Sequence, residues 1–458
     1  MDMAALKSPT AAASFRCKAV TATLTGLVLA VVAIPAAANT YLVGPTRPYL
    51  NLNAVAGLLN PGDLVLVDGN QTYPSALLTH SGNPGQPITI RGVRVNGNRP
   101  ILSGGNNTIE VQSNWTVVEG FEFTGGTSRC FYHHADHVTL RDSLVRDCPA
   151  HGILGADTGS GSFTMEYNEV RHCGNGTGQH AIYMATNEDD YPGSVFRMQH
   201  NWVHDQNGGN SVKSRAERNE IYYNWIENTT YHLLELIGPD PAGGTDPALK
   251  REDSDVVGNV LMRANDFAFV RIGGDGTGES AGRYRFLNNT FVSNSTANGS
   301  AVFRCFDALE SVEMHNNIFY SVPTGGGLRI VRDVEANWVS GRHISGQNNW
   351  LETGSTDLPT AAEWTASVTA ANPGFVNLAA HYLRPAVGST LINAGTSSGT
   401  SAPGYPFPNP LLLPIYVPPA ATVQTGDPPP PRPASGAIDI GAYEALSDVI
   451  FADDFEGP

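Results

Sequence analysis

The stretch "NGGNSVKSRAERNEIYYNWIEN" (207–228) sets an amine, Lys213, and a guanidinium, Arg215, two residues apart, with Arg218 close behind. Residues two apart on a strand share a face. A lysine whose pKa is lowered by burial and by neighbouring cations can accept a proton, and an arginine beside it can hold a carboxylate in a forked pair. Together they suit removal of the acidic proton next to a carboxylate. Tyr183 can serve as the acid, or as the base once ionised. His180 and His204 are alternatives. Glu235 can hold Lys213 in place, or join Asp205 in offering oxygens to Ca²⁺, as can the run "NEDD" (187–190). The plainer alternative is a Lys213–Glu235 ion pair on a solvated sheet, contributing about 0.2–1 kcal/mol.

These residues are spread along the chain, so something must gather them. A repeat does. "FTMEYNEV", "FRMQHNWV", "EIYYNWI", "DVVGNVL", "YRFLNNTF", "VEMHNNIF" and "HISGQNNWL" each place a hydrophobic strand before an Asn: 168, 201, 224, 259, 289, 317 and 349. The spacings are 33, 23, 35, 30, 28 and 32. "VTLRDSLV" and "TVVEGFEF" continue the pattern upstream with Ser143 and Phe121. Short strands at this variable period, without long helices, predict an all-β fold, a parallel β-helix forming one elongated solenoid. The Asn would occupy a turn, where it tolerates a left-handed backbone and stacks its amide on the next coil. "HGIL", "HAIY", "NSVK" and "HLLE" then align, with Ile153, Ile182, Val212 and Leu234 inward and Leu154, Tyr183, Lys213 and Glu235 outward. "FVRIG", "VFRCF" and "GLRIV" extend the outward stripe with Arg271, Arg304 and Arg329 as candidate substrate-binding residues, with His204 nearby. Such a stripe is a cationic track in a chain of net charge −16.

The pattern resembles the right-handed parallel β-helix proteins, which include polysaccharide lyases, glycoside hydrolases, pectin esterases, uronan epimerases and viral tailspikes. "SVKSRAERNEIYYNWI" is similar to a coil of the chondroitinase B and alginate lyase group, and "GAIDIGAYE" looks like the final coil of many secreted bacterial β-helix proteins. The resemblance implies β-elimination on a uronic-acid polysaccharide, with Lys213 as base and a bound Ca²⁺ on the substrate carboxylate. One coil on, where that group carries Arg, this chain has Glu235, and Arg271 follows a coil later. A hydrolase or epimerase on the same fold, and a non-catalytic carbohydrate-binding protein, are the alternatives.

Residues 1–38 read as a secretory signal: Arg16 and Lys18, an apolar run of about 14 residues, then Ala36, Ala37 and Ala38. The run is short of the roughly 20 residues of a membrane span. The expected location is therefore secreted or periplasmic, as a monomer free of the membrane after cleavage. The acidic charge argues against nucleic acid and the cationic stripe argues for an acidic polysaccharide as partner. The β-helix is expected over 39–350, a C-terminal segment with a Pro-rich stretch packing on it over 351–444, and a flexible acidic tail over 445–458. Cys148 and Cys173 fall at matching places on adjacent coils, within disulfide reach, as a bridge or as two stacked thiols; Cys305 reads as core. Zinc spacings, phosphate-binding Gly loops and nucleophile elbows are absent from the sequence, and a hydrolase-type Asp pair is not evident on the stripe.

Overall fold

Strands this short, apolar on one side only, bury that side by stacking in register. The computed structural model describes residues 38–238, 252–275, 280–322, 326–335, 338–422, 429–433 and 436–446. Its described residues form three parallel sheets of 13, 12 and 10 strands, and within each sheet neighbours are successive coils. The fold is a right-handed parallel β-helix. Its interior is a continuous column of Ile, Val, Leu and Phe side chains, including Phe163, Phe196, Phe291, Phe303 and Phe319. The short helix Asn53–Ala56 buries Val55 and Ala56 at the N-terminal end. At the other end Trp364 stacks on Phe319, 5.9 Å between ring centroids. Gly346 permits this, since a Cβ there would lie 2.3 Å from the Trp364 ring.

The seven asparagines form one fully buried ladder. Each amide nitrogen donates to the Oδ1 of the next coil's Asn, from Asn168 to Asn349, at 3.0–3.1 Å. Ser143 continues it, its N–H donating to Asn168 Oδ1 and its Oγ accepting from Phe121 N–H. The left-handed residue is not the Asn but the one before it: Tyr167, His200, Tyr223, Gly258, Asn288, Asn316 and Asn348 all have positive φ. The turn thus divides its labour, one residue reversing the backbone and the next supplying the hydrogen bonds.

Strands continue past the expected boundary at 350, through Trp364–Thr365 and Val368–Ala370. The C-terminal segment then runs back along the coils. Arg285 donates to the carbonyls of Asn409 and Pro410 at 3.0 Å, Ile415 N–H reaches Tyr223 Oη, and Ala442 N–H reaches Thr290 Oγ1. Asn316 is bonded to Thr396 in both directions, and Asn348 donates to the Ala394 carbonyl. Cys148 and Cys173 are register partners, as aligned, yet the disulfide joins Cys148 to Cys130 and Cys173 is a buried thiol. Cys130 competes successfully because its strand lies next to Cys148 across the coil's corner. Cys305 is buried in the core. Residues 1–37 of the signal segment and residues 447–458 lie outside the described residues.

Candidate active site

The ten-stranded sheet includes Arg129–His133, His151–Gly155, Ile182–Ala185, Val212–Arg215, Leu234–Leu236, Val270–Ile272, Phe303–Cys305 and Val331–Asp333. Ile153, Ile182, Val212, Leu234, Val270 and Phe303 pair in register and are fully buried. Side chains alternate along a strand, so the following residues make an outward column: Leu154, Tyr183, Lys213, Glu235, Arg271, Arg304 and Arg332. The register expected for Tyr183, Lys213, Glu235, Arg271 and Arg304 is the one found. Arg329 is the exception. It lies outside the column, paired with Asp357 at 2.6 Å and bonded to the Gly299 carbonyl. Two arginines follow apolar residues in 328–332, and the strand takes the second.

The Lys213 ammonium sits over the Tyr183 ring, 5.1 Å from its centroid. Burial lowers its pKa, reinforced by Arg215 and Arg271 and opposed by Glu235 and Asp275. Glu235 is 3% exposed, ion-paired with Arg271, and accepts a hydrogen bond from Asn210 Nδ2. Its carboxylate therefore braces Arg271. Arg215 shares the Lys213 strand, but its guanidinium is buried against Asp275 and donates to the Gly238 carbonyl at 2.9 Å. It is a clamp inside the wall rather than an open fork, because Asp275, 60 residues away in sequence, reaches it. His180 is buried, and its Nδ1 accepts from Asn210 N–H at 3.0 Å. Burial, Lys213 and His151 push its pKa down to about 3, so it is neutral and can only donate through Nε2. That removes it as a base.

His204 and Asp205 belong elsewhere. His204 ends the strand Trp202–His204 in the twelve-stranded sheet and stacks on Trp202, ring centroids 3.7 Å apart. Burial opposes its protonation, but hydrogen bonds to Glu169 and Asp205 prevail and raise its pKa. Asp205 is held by His204 at 2.8 Å and by Asn228 at 3.0 Å. Glu235 and Asp205 thus do not converge on a cation. The 187–190 run is tied locally, with Asn187 donating to Asp190 at 2.7 Å, and burial raises Glu188 to about 7. Among the described residues no three His, Cys, Asp or Glu side chains gather as a metal site. The donors proposed for Ca²⁺ do not fit it.

Behind the wall lies a buried acid the sequence did not flag. Glu252 accepts from Asn219 Nδ2 at 2.9 Å and Ser254 Oγ at 2.8 Å, with Tyr284 Oη 3.0 Å away. Burial raises its pKa to about 8, so it is a neutral acid at pH 7. Its ordinary value is 4.5. The native state binds this proton more tightly, so the stability it contributes is complete below about 4.5 and is lost as pH rises through about 8. Glu252→Gln, a neutral near-isostere, should match the wild type at pH 5 and be more stable at pH 8.5. The gain, on the order of a few kcal/mol, is measurable by denaturant titration at both pH values.

No protein-family model matches the chain, and no curated protein matches it in sequence. Similar solved structures include the pectate lyase Pel9A, at TM-score 0.43 and 14% identity, covering 89% of this chain and 96% of that one. An alginate lyase from Paenibacillus sp. str. FPU-7 is similar at TM-score 0.35 and 18% identity, covering 64% and 98%. XylC in complex with xylose is similar at 0.46 and 8%, covering 74% and 87%. At these identities the likeness is one of fold.

Proposed function

We propose that this chain is an exported polysaccharide lyase that cleaves a uronic-acid-containing polymer by β-elimination at the Lys213 column. The observation that carries this reading is a half-buried lysine, its pKa lowered by that burial, placed in register between Tyr183 on one side and the Arg271, Arg304 and Arg332 positions beyond Glu235 on the other. Arg304 and Arg332 bind and neutralise the uronate carboxylate, beside Arg271 held by Glu235, which makes the proton on the adjacent C5 more acidic. Lys213, as the free amine, takes that proton. The electron pair left on C5 forms the C4–C5 double bond as the C4–O4 bond breaks, and Tyr183 delivers a proton to the departing O4. Leu154, on the Tyr183 side, is uncharged, so the cations of this outward column lie beyond Lys213. Export is inferred from residues 1–38; among the described residues no helix is long and apolar enough to cross a membrane.

The test is incubation with a panel of anionic polysaccharides, following the ultraviolet absorbance of an unsaturated uronate beside the appearance of reducing ends. The two should rise together. Reducing ends without that absorbance would replace elimination by hydrolysis, and binding without either would replace the enzyme by a carbohydrate-binding protein.

A further inference from the structure

We infer that Asn210 is a positioning residue that reverses an imidazole ladder, so that His232 presents a bare ring nitrogen to Arg304 and leaves that guanidinium uncompensated for an anionic substrate. The effect on turnover rests on the lyase reading; the ladder itself does not.

Beside the Lys213 column runs a second one, His151, His180, Asn210 and His232, linked coil to coil by hydrogen bonds. A backbone N–H can only donate. His180 N–H meets His151 Nδ1 at 3.1 Å, and Asn210 N–H meets His180 Nδ1 at 3.0 Å. Both Nδ1 atoms are therefore acceptors, and both neutral rings carry their proton on Nε2. Asn210 changes the direction. His232 N–H points at the Asn210 side-chain oxygen at 3.0 Å, which fixes the amide so that Nδ2 faces Glu235. The same oxygen lies 3.0 Å from His232 Nδ1. A carbonyl oxygen can only accept, so His232 is protonated on Nδ1 and its Nε2 is a lone pair. That atom faces Arg304 Nη1 at 3.5 Å.

The residue type matters. An amide oxygen has two lone pairs and takes both the backbone and the ring proton of His232; an imidazole nitrogen at the same place has one. A histidine at 210, continuing the column, would leave the His232 ring without its acceptor and favour the opposite tautomer. The neighbouring arginines then differ in kind. Arg271 is balanced by the Glu235 carboxylate. Arg304 faces a neutral acceptor, the Tyr231 hydroxyl and the Phe306 ring, 5.1 Å away, and has no carboxylate partner among the described residues. Its charge remains available to the substrate.

The test uses the full chain labelled with ¹⁵N-histidine, reading each ring's tautomer by long-range ¹H–¹⁵N correlation and assigning signals with single His→Gln variants. His151 and His180 should be protonated on Nε2 and His232 on Nδ1; a His232 protonated on Nε2 overturns the inference without any variant. Asn210→Asp keeps the oxygen that faces His232 and should keep its Nδ1 protonated, while the loss of the donor to Glu235 lowers Tm. Asn210→Ala should release it to Nε2–H and raise KM for the cleaved polymer about tenfold, with a smaller change in kcat. An unchanged His232 signal in Asn210→Ala also overturns the inference. A merely structural role would lower Tm in both variants and move neither the tautomer nor KM selectively. If the tautomers are as expected but Lys213→Ala retains full turnover, the ladder stands and the lyase reading falls. If Lys213 is essential but His232 carries its proton on Nε2, the ladder alone falls.

Discussion

Lys213→Ala is expected to lose about 10²–10⁴-fold in turnover on an accepted polymer while changing stability by less than about 1 kcal/mol. The side chain points outward from a strand whose inward residue, Val212, does the packing, so truncation opens no core cavity. What is lost is the amine. Lys213→Arg is the informative companion: it keeps the positive charge over the Tyr183 ring but cannot give up its proton, so it should fail nearly as badly as Ala. The pH profile gives an independent reading. A protonated amine cannot accept a proton, so kcat/KM should rise with pH along a limb whose midpoint lies below the ordinary lysine value of 10.5, because burial lowers it. That limb should vanish in both variants. Near-wild-type turnover in Lys213→Ala would reduce Lys213 to a cation resting on an aromatic ring, worth about 0.5–1 kcal/mol, and move the search for the base to Tyr183.

Asn224→Ala, in the middle of the amide ladder, should cost about 3–5 kcal/mol, the largest stability effect expected of a single polar truncation here. The side chain donates to the Met198 carbonyl at 2.9 Å and to Asn259 Oδ1 at 3.0 Å, and accepts from the Asn201 backbone and amide at 2.9 and 3.0 Å. All these groups are out of reach of water, so truncation leaves several buried groups unpaired and opens a cavity besides. Urea denaturation should show a lower midpoint with an unchanged m-value. The double variant Asn224→Ala/Asn259→Ala should cost less than the sum of its parts, because neighbouring rungs share a bond. A cost below about 1 kcal/mol would mean that the ladder marks the turn without holding it.

The fold was legible because its signal repeats. Asn168 to Asn349 recur at the same point of each coil, and the alternation around Ile153, Ile182, Val212 and Leu234 specifies which side chains leave the core. Register along the outward column followed from that alternation as far as Arg304. It failed at Arg329, where Val331 and Leu328 are both buried and local pattern cannot choose the strand frame. The state of each site residue was harder to read, because it depends on partners far along the chain. Nothing near Arg215 announces Asp275, and nothing near Glu235 announces Asn210 as its second partner. The strongest unused clue was the Asn in a column otherwise made of His151, His180 and His232. It was visible in the alignment, but its meaning lies in counting lone pairs. The Cys130 pairing was invisible to a comparison of adjacent coils, since it closes across a corner within the chain's 18-residue separation.

The returning C-terminal segment changes the thermodynamic character of the array. A solenoid is ordinarily a chain of nearest-neighbour couplings, so its end coils can fray one at a time while the middle stays folded. Here one strap touches Tyr223, Arg285, Thr290, Asn316 and Asn348, which are spread over four coils. Loosening any one of them strains the strap's hold on the rest, so these coils melt as a block. The strap is synthesised after the coils it holds. The block therefore acquires its full cooperativity only once residues 394–442 are in place, and a chain truncated before them would leave its coils to unzip singly.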